Sequence, residues 1–315
     1  MAECRKTCRQ RYSGIGGQAV LEGVMMRSGD VYAVSVRRPD GTIVVDRQDY
    51  PGFMAGSPLK EIPFVRGVFV FIDSMILGMR CINYSASFFE EEEEGAGKEA
   101  EKKEGEDKKD SIFMGLTLAL SFALAIGLFF ILPFLLSSLA GRLFGSPLLT
   151  AVLEGLIRIA IFLAYMVSIS AMEDINRLYR YHGAEHKCIN CIESGLPLTV
   201  ENARGATRFH KRCGSSFIVF VMMVSIVLFF FIRVPNPVLK ILLRLALIPV
   251  ISGISFELIR LAGSSDNPVI GILSRPGLWF QRLTVLEPDD SMLEVAISSV
   301  ESVFDWRAYL EKEAL

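Results

Sequence analysis

Four long apolar runs, Ile112 to Leu139, Leu148 to Met172, Gly214 to Ile232 and Val238 to Leu261, restrict this chain more than any other feature. Each is long enough to cross a hydrocarbon layer roughly 30 Å thick, which takes about 20 residues at about 1.5 Å per residue. A bilayer offers no water to unpaired backbone groups, so the runs are expected to be helices. A hydrophobic share of 51% and 22 phenylalanines agree with an integral membrane protein. The net charge of −2 comes with no basic stripe interleaved with aromatics, so nucleic acid is not an expected partner.

The connections give an expected orientation. Gly141 to Pro147 and Arg233 to Pro237 carry one arginine each, whereas Glu173 to Cys213 carries Arg177, Arg180, Lys187, Arg204, Arg208, Lys211 and Arg212. Positive loops stay inside, which puts residues 173–213 in the cytosol, and an even number of spans puts both termini there too. No secretory signal peptide is expected at residues 1–10. In the cytosol thiols stay reduced and are free to act as metal ligands.

A fifth apolar stretch, Ile62 to Tyr84, carries Arg66, Asp73 and Arg80 seven residues apart, which places the three charges on one helical face. It is read as an interfacial or re-entrant helix rather than a span. The expected architecture is therefore mainly α: four transmembrane helices (residues 111–172 and 214–262), the interfacial helix (62–84), and a small cytosolic β-rich module (1–61). In that module Val31 to Arg37 and Thr42 to Arg47 form a hairpin around Pro39-Asp40-Gly41. Residues 85–110, rich in Glu, Lys and Gly, read as a flexible linker. Residues 263–315 form a cytosolic C-terminal segment, where Pro288-Asp289-Asp290 opens an amphipathic helix with Leu293, Ala296, Val300, Val303 and Phe304 on one side.

Chemistry concentrates in residues 173–213. All three histidines of the chain, His182, His186 and His210, lie within 29 positions, together with Cys188, Cys191 and Cys213. With no breaker from Met172 to Tyr181, the second span is expected to continue as a helix and carry His182 and His186 on one face, one turn apart. The order His-x-x-Glu-His inverts the zincin motif, in which two histidines bind zinc and the glutamate activates water. An open site has His182, His186, His210 and Cys213 as metal ligands, zinc being the expected ion, with Glu185 as the catalytic base. A closed Cys3His site of Cys188, Cys191, His210 and Cys213 is the structural alternative. A third reading has no metal, with the histidines lining the membrane interface. Gly183 weakens the helix by about 1 kcal/mol relative to alanine.

Charges within the spans need partners, because a lone one costs several kcal/mol in hydrocarbon. Glu154 and Arg158 are i,i+4 neighbours, and Glu154 and Arg244 are at similar depth, so an ion pair locking the bundle is expected, with a polar substrate pocket as the alternative. Glu257 and Arg260, near the cytosolic end, are expected to snorkel outward. Gly115, Thr117, Ser121 and Gly127 mark a close helix contact.

The motifs Gly16-Gly17-Gln18-Ala19-Val20-Leu21-Glu22-Gly23-Val24-Met25-Met26-Arg27, Tyr181-His182-Gly183-Ala184-Glu185-His186-Lys187, Leu198-Thr199-Val200-Glu201-Asn202, His210-Lys211-Arg212-Cys213-Gly214-Ser215-Ser216-Phe217 and Glu287-Pro288-Asp289-Asp290 resemble those of the YqhQ family of bacterial multi-pass membrane proteins. The resemblance runs nearly end to end. It implies residence in the bacterial inner membrane and a metal-dependent enzyme with His182, Glu185, His186, His210 and Cys213 at its site. Cys188 and Cys191 lie outside the family's core pattern, which favours the open site. Gly16 to Arg27 is expected to turn tightly into the β module; folding over the histidine loop, with Glu22 as a further carboxylate, is the alternative. Two functions follow as expectations: a metal-dependent hydrolase acting on a membrane protein or lipid at the bilayer surface, or a non-enzymatic factor that inserts, assembles or stabilises other membrane proteins.

Overall fold

The computed structural model describes residues 12–52, 56–94, 106–144, 146–232, 234, 236–264 and 267–314. In chain order these form strands β1 (Ile15–Val20), β2 (Gly23–Ser28), β3 (Val31–Arg37) and β4 (Ile43–Asp49) and helices α1 (Val65–Glu94), α2 (Glu106–Ile126), α3 (Leu132–Phe144), α4 (Pro147–Ser170), α5 (Glu173–Glu193), α6 (Val200–Gly205), α7 (Gly214–Phe231), α8 (Pro237–Ala246), α9 (Ile248–Ser264), α10 (Pro268–Thr284), α11 (Asp290–Val303) and α12 (Trp306–Ala314). The chain divides into two compact units, one of residues 1–92, 170–221 and 249–315, the other of residues 93–169 and 222–248.

The first unit is built on an antiparallel sheet in the order β1-β2-β3-β4. Alternation along β2 sends Val24 and Met26 to one face and Met25 to the other. Val24 and Met26 join Ile15 in a core with Tyr181, Ala184, Cys188 and Ile192 of α5 and Leu293, Ala296 and Val300 of α11. Met25 joins Val20, Tyr32, Val34 and Val36 against Leu77 and Cys81 of α1. Each large side chain buried this way contributes roughly 1.5–3 kcal/mol. The expected hairpin is present as β3 and β4, paired from Val31↔Asp49 to Arg37↔Ile43. The expected amphipathic helix is α11, whose N-cap Asp289 accepts the Met292 N–H at 3.0 Å. The N-terminal strands, the histidine segment and the C-terminal helix thus share one core.

Several expectations are revised. The second span does not run on into the histidine helix: α4 ends at Ser170, Met172 is extended, and α5 starts afresh at Glu173 with Glu173 and Asp174 in its first turn. Acids there favour a new N-terminus. Gly16 to Arg27 is not a turn but the β1–β2 hairpin, with Glu22 in a left-handed conformation at its tip (φ 49°). Glu22 pairs with Arg177 and accepts from the Tyr181 hydroxyl at 3.2 Å, so it ties the hairpin to α5. Of the expected linker, residues 95–105 lie outside the described residues, while α1 reaches Glu94 and α2 begins at Glu106.

Three described helical stretches are long and apolar enough to cross a membrane: Gly115–Gly141, Leu148–Ser170 and Gly214–Phe231. The first includes a π-helical segment, Gly127–Ile131. A fourth candidate, Pro237–Ala246 with Ile248–Gly263, is bent by 42°. Pro249 lacks the N–H that would bond to the Leu245 carbonyl, which accounts for the break. Helix α1 is not among these stretches. Two of its charges are paired, Arg66 with Glu257 at 2.5 Å and Asp73 with Arg27 at 3.0 Å, and Arg80 lies over the Tyr50 ring, while Val70, Phe71, Ile72, Met75, Ile76 and Met79 stay exposed. Glu257 therefore does not snorkel as expected; it is held by Arg66, and Arg260 alone is largely exposed.

Candidate metal centre

Helix α5 carries His182, Glu185 and His186 on the face that looks past β1 toward the start of α7. Its passage through Gly183 has a packing reason. A Cβ there would land on the Leu286 carbonyl oxygen, and Leu286 N–H donates to the Tyr179 carbonyl at 3.0 Å, so a glycine lets the 285–288 segment cross the helix in contact. Gly17 does the same on the other side, where a Cβ would sit 2.8 Å from Glu185 Cγ and 2.7 Å from the Met25 carbonyl.

The donor atoms of His182, His186 and Cys213 lie within 4.8 Å of one another. Cys213 Sγ is 3.2 Å from His182 Nε2. Both imidazoles are oriented from behind by backbone carbonyls: His182 Nδ1 is 3.1 Å from the Thr284 carbonyl, and His186 Nδ1 is 2.6 Å from that of Arg208. An Nδ1–H donated to a carbonyl leaves the Nε2 lone pair free, which is how protein scaffolds present histidine to a metal. Cys213 immediately precedes α7 and receives the Ser215 N–H at 3.4 Å and a contact from Ser215 Oγ at 3.0 Å. A helix N-terminus favours thiolate.

The same closeness makes Cys213 and His182 a thiolate–imidazolium pair, from which a bound cation would displace the Nε2 proton. Burial alone would raise the Cys213 thiol, yet His182 and His186 outweigh it and hold it well below the ordinary range. Burial alone would lower His182, yet Cys213 and Glu185 hold it up at about 9. Glu185 is raised above the ordinary carboxylate range by burial, which the neighbouring histidines only partly offset. Its Oε2 has no hydrogen-bond partner and lies 3.9 Å from His182 Nε2. A fully buried carboxylate oxygen left without a donor costs about 1–3 kcal/mol. Two imidazole nitrogens and a thiolate, with a spare carboxylate beside them, are a donor set that could hold a divalent cation.

His210 does not join the trio, although its ring is 5.7 Å from that of His186. Its Nε2 is 3.4 Å from Glu193 Oε2. Glu193, 1% exposed, also accepts Ser13 N–H at 3.0 Å, Ser13 Oγ–H at 2.9 Å and Arg212. Burial would raise Glu193, but His210, Ser13 and Arg212 together lower it. Nor does the structure assemble the closed Cys3His set. Cys188 and Cys191 point into the core under the sheet, and Cys191 Sγ–H reaches only the carbonyls of Leu196 and Pro197 at 3.8 and 3.5 Å. Burial pushes Cys191 up to about 11. Among the described residues His182, His186 and Cys213 are the one group placed to hold a metal.

A family model described as "Protein of unknown function (DUF1385)" matches residues 62–306. The chain belongs to the DUF1385 family. It is 37% identical over 306 residues, 94% of each chain, to "Uncharacterized protein YqhQ" of Bacillus subtilis (strain 168), in agreement with the motif resemblance. No solved structure matches it. In this DUF1385 chain the oriented donors open onto a cavity of about 250 Å³ that is also lined by Gly16, Gly17 and Arg212. A second cavity, of about 680 Å³, shares Gly14, Gly16, Gly17, His182 and Gly214 with it, so both lie along β1, the edge strand of the described sheet.

Proposed function

We propose that this chain is a metal-dependent hydrolase of the bacterial inner membrane, cleaving polypeptide segments beside the bilayer. The single observation that carries the reading is the unpartnered, buried Glu185 carboxylate next to three oriented metal donors. A purely structural site has no use for such a group, since an apolar residue of similar volume would be more stable. The apolar helices Gly115–Gly141, Leu148–Ser170 and Gly214–Phe231 support membrane residence, and the basic 173–213 segment supports a cytosolic site.

A divalent ion at His182, His186 and Cys213 would supply Lewis acidity, polarising the scissile carbonyl and acidifying water. Glu185 takes the proton from the attacking water and hands it to the leaving amine nitrogen, so one C–N bond breaks as one C–O bond forms. Its raised affinity for a proton suits both halves of that transfer. Arg212 and the Thr284 and Arg208 carbonyls keep the surrounding groups in place.

The edge of β1 argues for a polypeptide. Arg37 N–H donates to the Glu22 carbonyl, which fixes the phase of the sheet, so Gly16, Gln18 and Val20 bond to β2 while Gly17 and Ala19 direct N–H and C=O outward. An extended segment added there gains backbone hydrogen bonds and passes His182, which lines both cavities along that edge. The test is a comparison of protein N-termini in membranes from cells carrying the wild type or Glu185→Gln. Termini present in the first and missing in the second, with metal content unchanged, are expected. Identical sets of termini would leave the chain without this activity.

A further inference from the structure

The second unit holds a separate polar cavity of about 400 Å³, between α4, the end of α7 and α8. Glu154, Arg158, Lys240 and Arg244 line it, with Phe229 and Phe230. Glu154 is the only carboxylate between Ser111 and Ile169 or between Met222 and Ile248. Both of its oxygens are already engaged: Oε1 by Arg158 Nη2 at 2.9 Å and Oε2 by Arg244 Nη2 at 2.9 Å. Three cations therefore share one anion, an excess of two positive charges among apolar helices.

The surplus is only partly covered. Arg158 Nε reaches the Phe129 carbonyl at 3.1 Å, and aromatic faces lie 4.8 Å from Arg158, 4.9 Å from Arg244 (both Phe229) and 5.0 Å from Lys240 (Phe134). Yet Arg244, 3% exposed, keeps a buried Nε–H that donates to nothing. A bundle lock would need one pair, and an apolar filling would be more stable than a triad with surplus charge. Helices α4 and α8 also both begin at this cavity, adding the positive ends of their dipoles.

From this surplus we infer that the cavity binds a phosphate group, either on an anionic lipid or as the free ion. Arginine forks and a lysine suit the tetrahedral oxygens and the charge of phosphate, and the volume is ample. The inference is independent of the hydrolase reading, because it uses no residue of the His/Cys centre.

The full chain, delipidated in detergent, is titrated with inorganic phosphate and, separately, with phosphatidylglycerol in mixed micelles, while thermal unfolding is followed against sodium chloride of equal ionic strength. A saturable rise in Tm with either probe is expected; phosphate alone identifies the free ion, and a response to lipid only identifies the headgroup. Lys240→Met should weaken the apparent affinity at least tenfold, and Arg244→Met likewise. Glu154→Gln, which removes the competing carboxylate, should tighten it severalfold where the variant folds. No saturable shift above the chloride control with either probe, or equal affinity in wild type and Lys240→Met, overturns the inference.

Discussion

Two of the buried polar clusters among the described residues are opposite in what they lack. Around His182, His186 and Cys213 there are lone pairs and a carboxylate without enough donors, and Glu185 Oε2 is left unpartnered. Around Glu154 there are N–H donors and positive charge without enough acceptors, and Arg244 Nε is left unpartnered. A buried group without a partner is costly in either case. One cluster is complementary to a cation and the other to an anion, so each deficit names the chemistry of the ligand that would relieve it.

Removing the carboxylate from each cluster should have contrasting effects. Glu154→Gln strips two buried arginines of their shared counter-charge and should destabilise the protein by about 3–5 kcal/mol, read from unfolding in detergent. Next in size is Glu193→Gln, which weakens the clamp on His210, Arg212 and Ser13, with an expected cost of roughly 1.5–3 kcal/mol. Because Glu193 is depressed in the folded state, the unfolded chain binds the extra proton first. Its contribution is full above the unfolded carboxyl pKa, about 4.3, and is lost as pH falls through the lower folded value. The acid limb of a stability–pH curve should therefore flatten in Glu193→Gln.

Gly17→Ala drives a methyl group toward Glu185 Cγ and the Met25 carbonyl and should cost about 1–3 kcal/mol, with a larger proportional loss of peptide cleavage than of stability. The smallest expected effect on stability is that of Glu185→Gln, within about 1 kcal/mol of wild type, because the carboxylate it removes is already buried and unsatisfied. Comparable large losses in Glu185→Gln and Glu154→Gln would erase the contrast between the clusters.

Much of this was legible in the sequence, for physical reasons that can be named. Hydropathy located the long helices, alternation and a Pro-Asp-Gly turn located β3 and β4, and Asp289 ahead of spaced apolar residues located α11. The i,i+4 pair His182 and His186 announced two of the three donors that the fold brings together, and the Glu154–Arg158–Arg244 contact followed from depth and spacing. The assignment of His210 was decided by Glu193, 17 residues away, which no local spacing reveals. The carbonyls of Thr284 and Arg208 that orient the histidines are backbone groups, invisible in side-chain identity. The β1–β2 hairpin escaped because Gly16-Gly17 and Met25-Met26 break the alternation that marks a strand. Helix α10 escaped because Pro276 lies within it.

His182, His186 and Cys213 are expected to hold one divalent ion with a position open for water. X-ray absorption on the metal-loaded full chain tests it directly. The expected first shell is two imidazole nitrogens at about 2.0–2.1 Å, one sulfur at about 2.3 Å and one light oxygen scatterer, with the sulfur lost in Cys213→Ala and retained in Cys188→Ala. A shell of four protein ligands with three sulfurs, or one without sulfur, would contradict it.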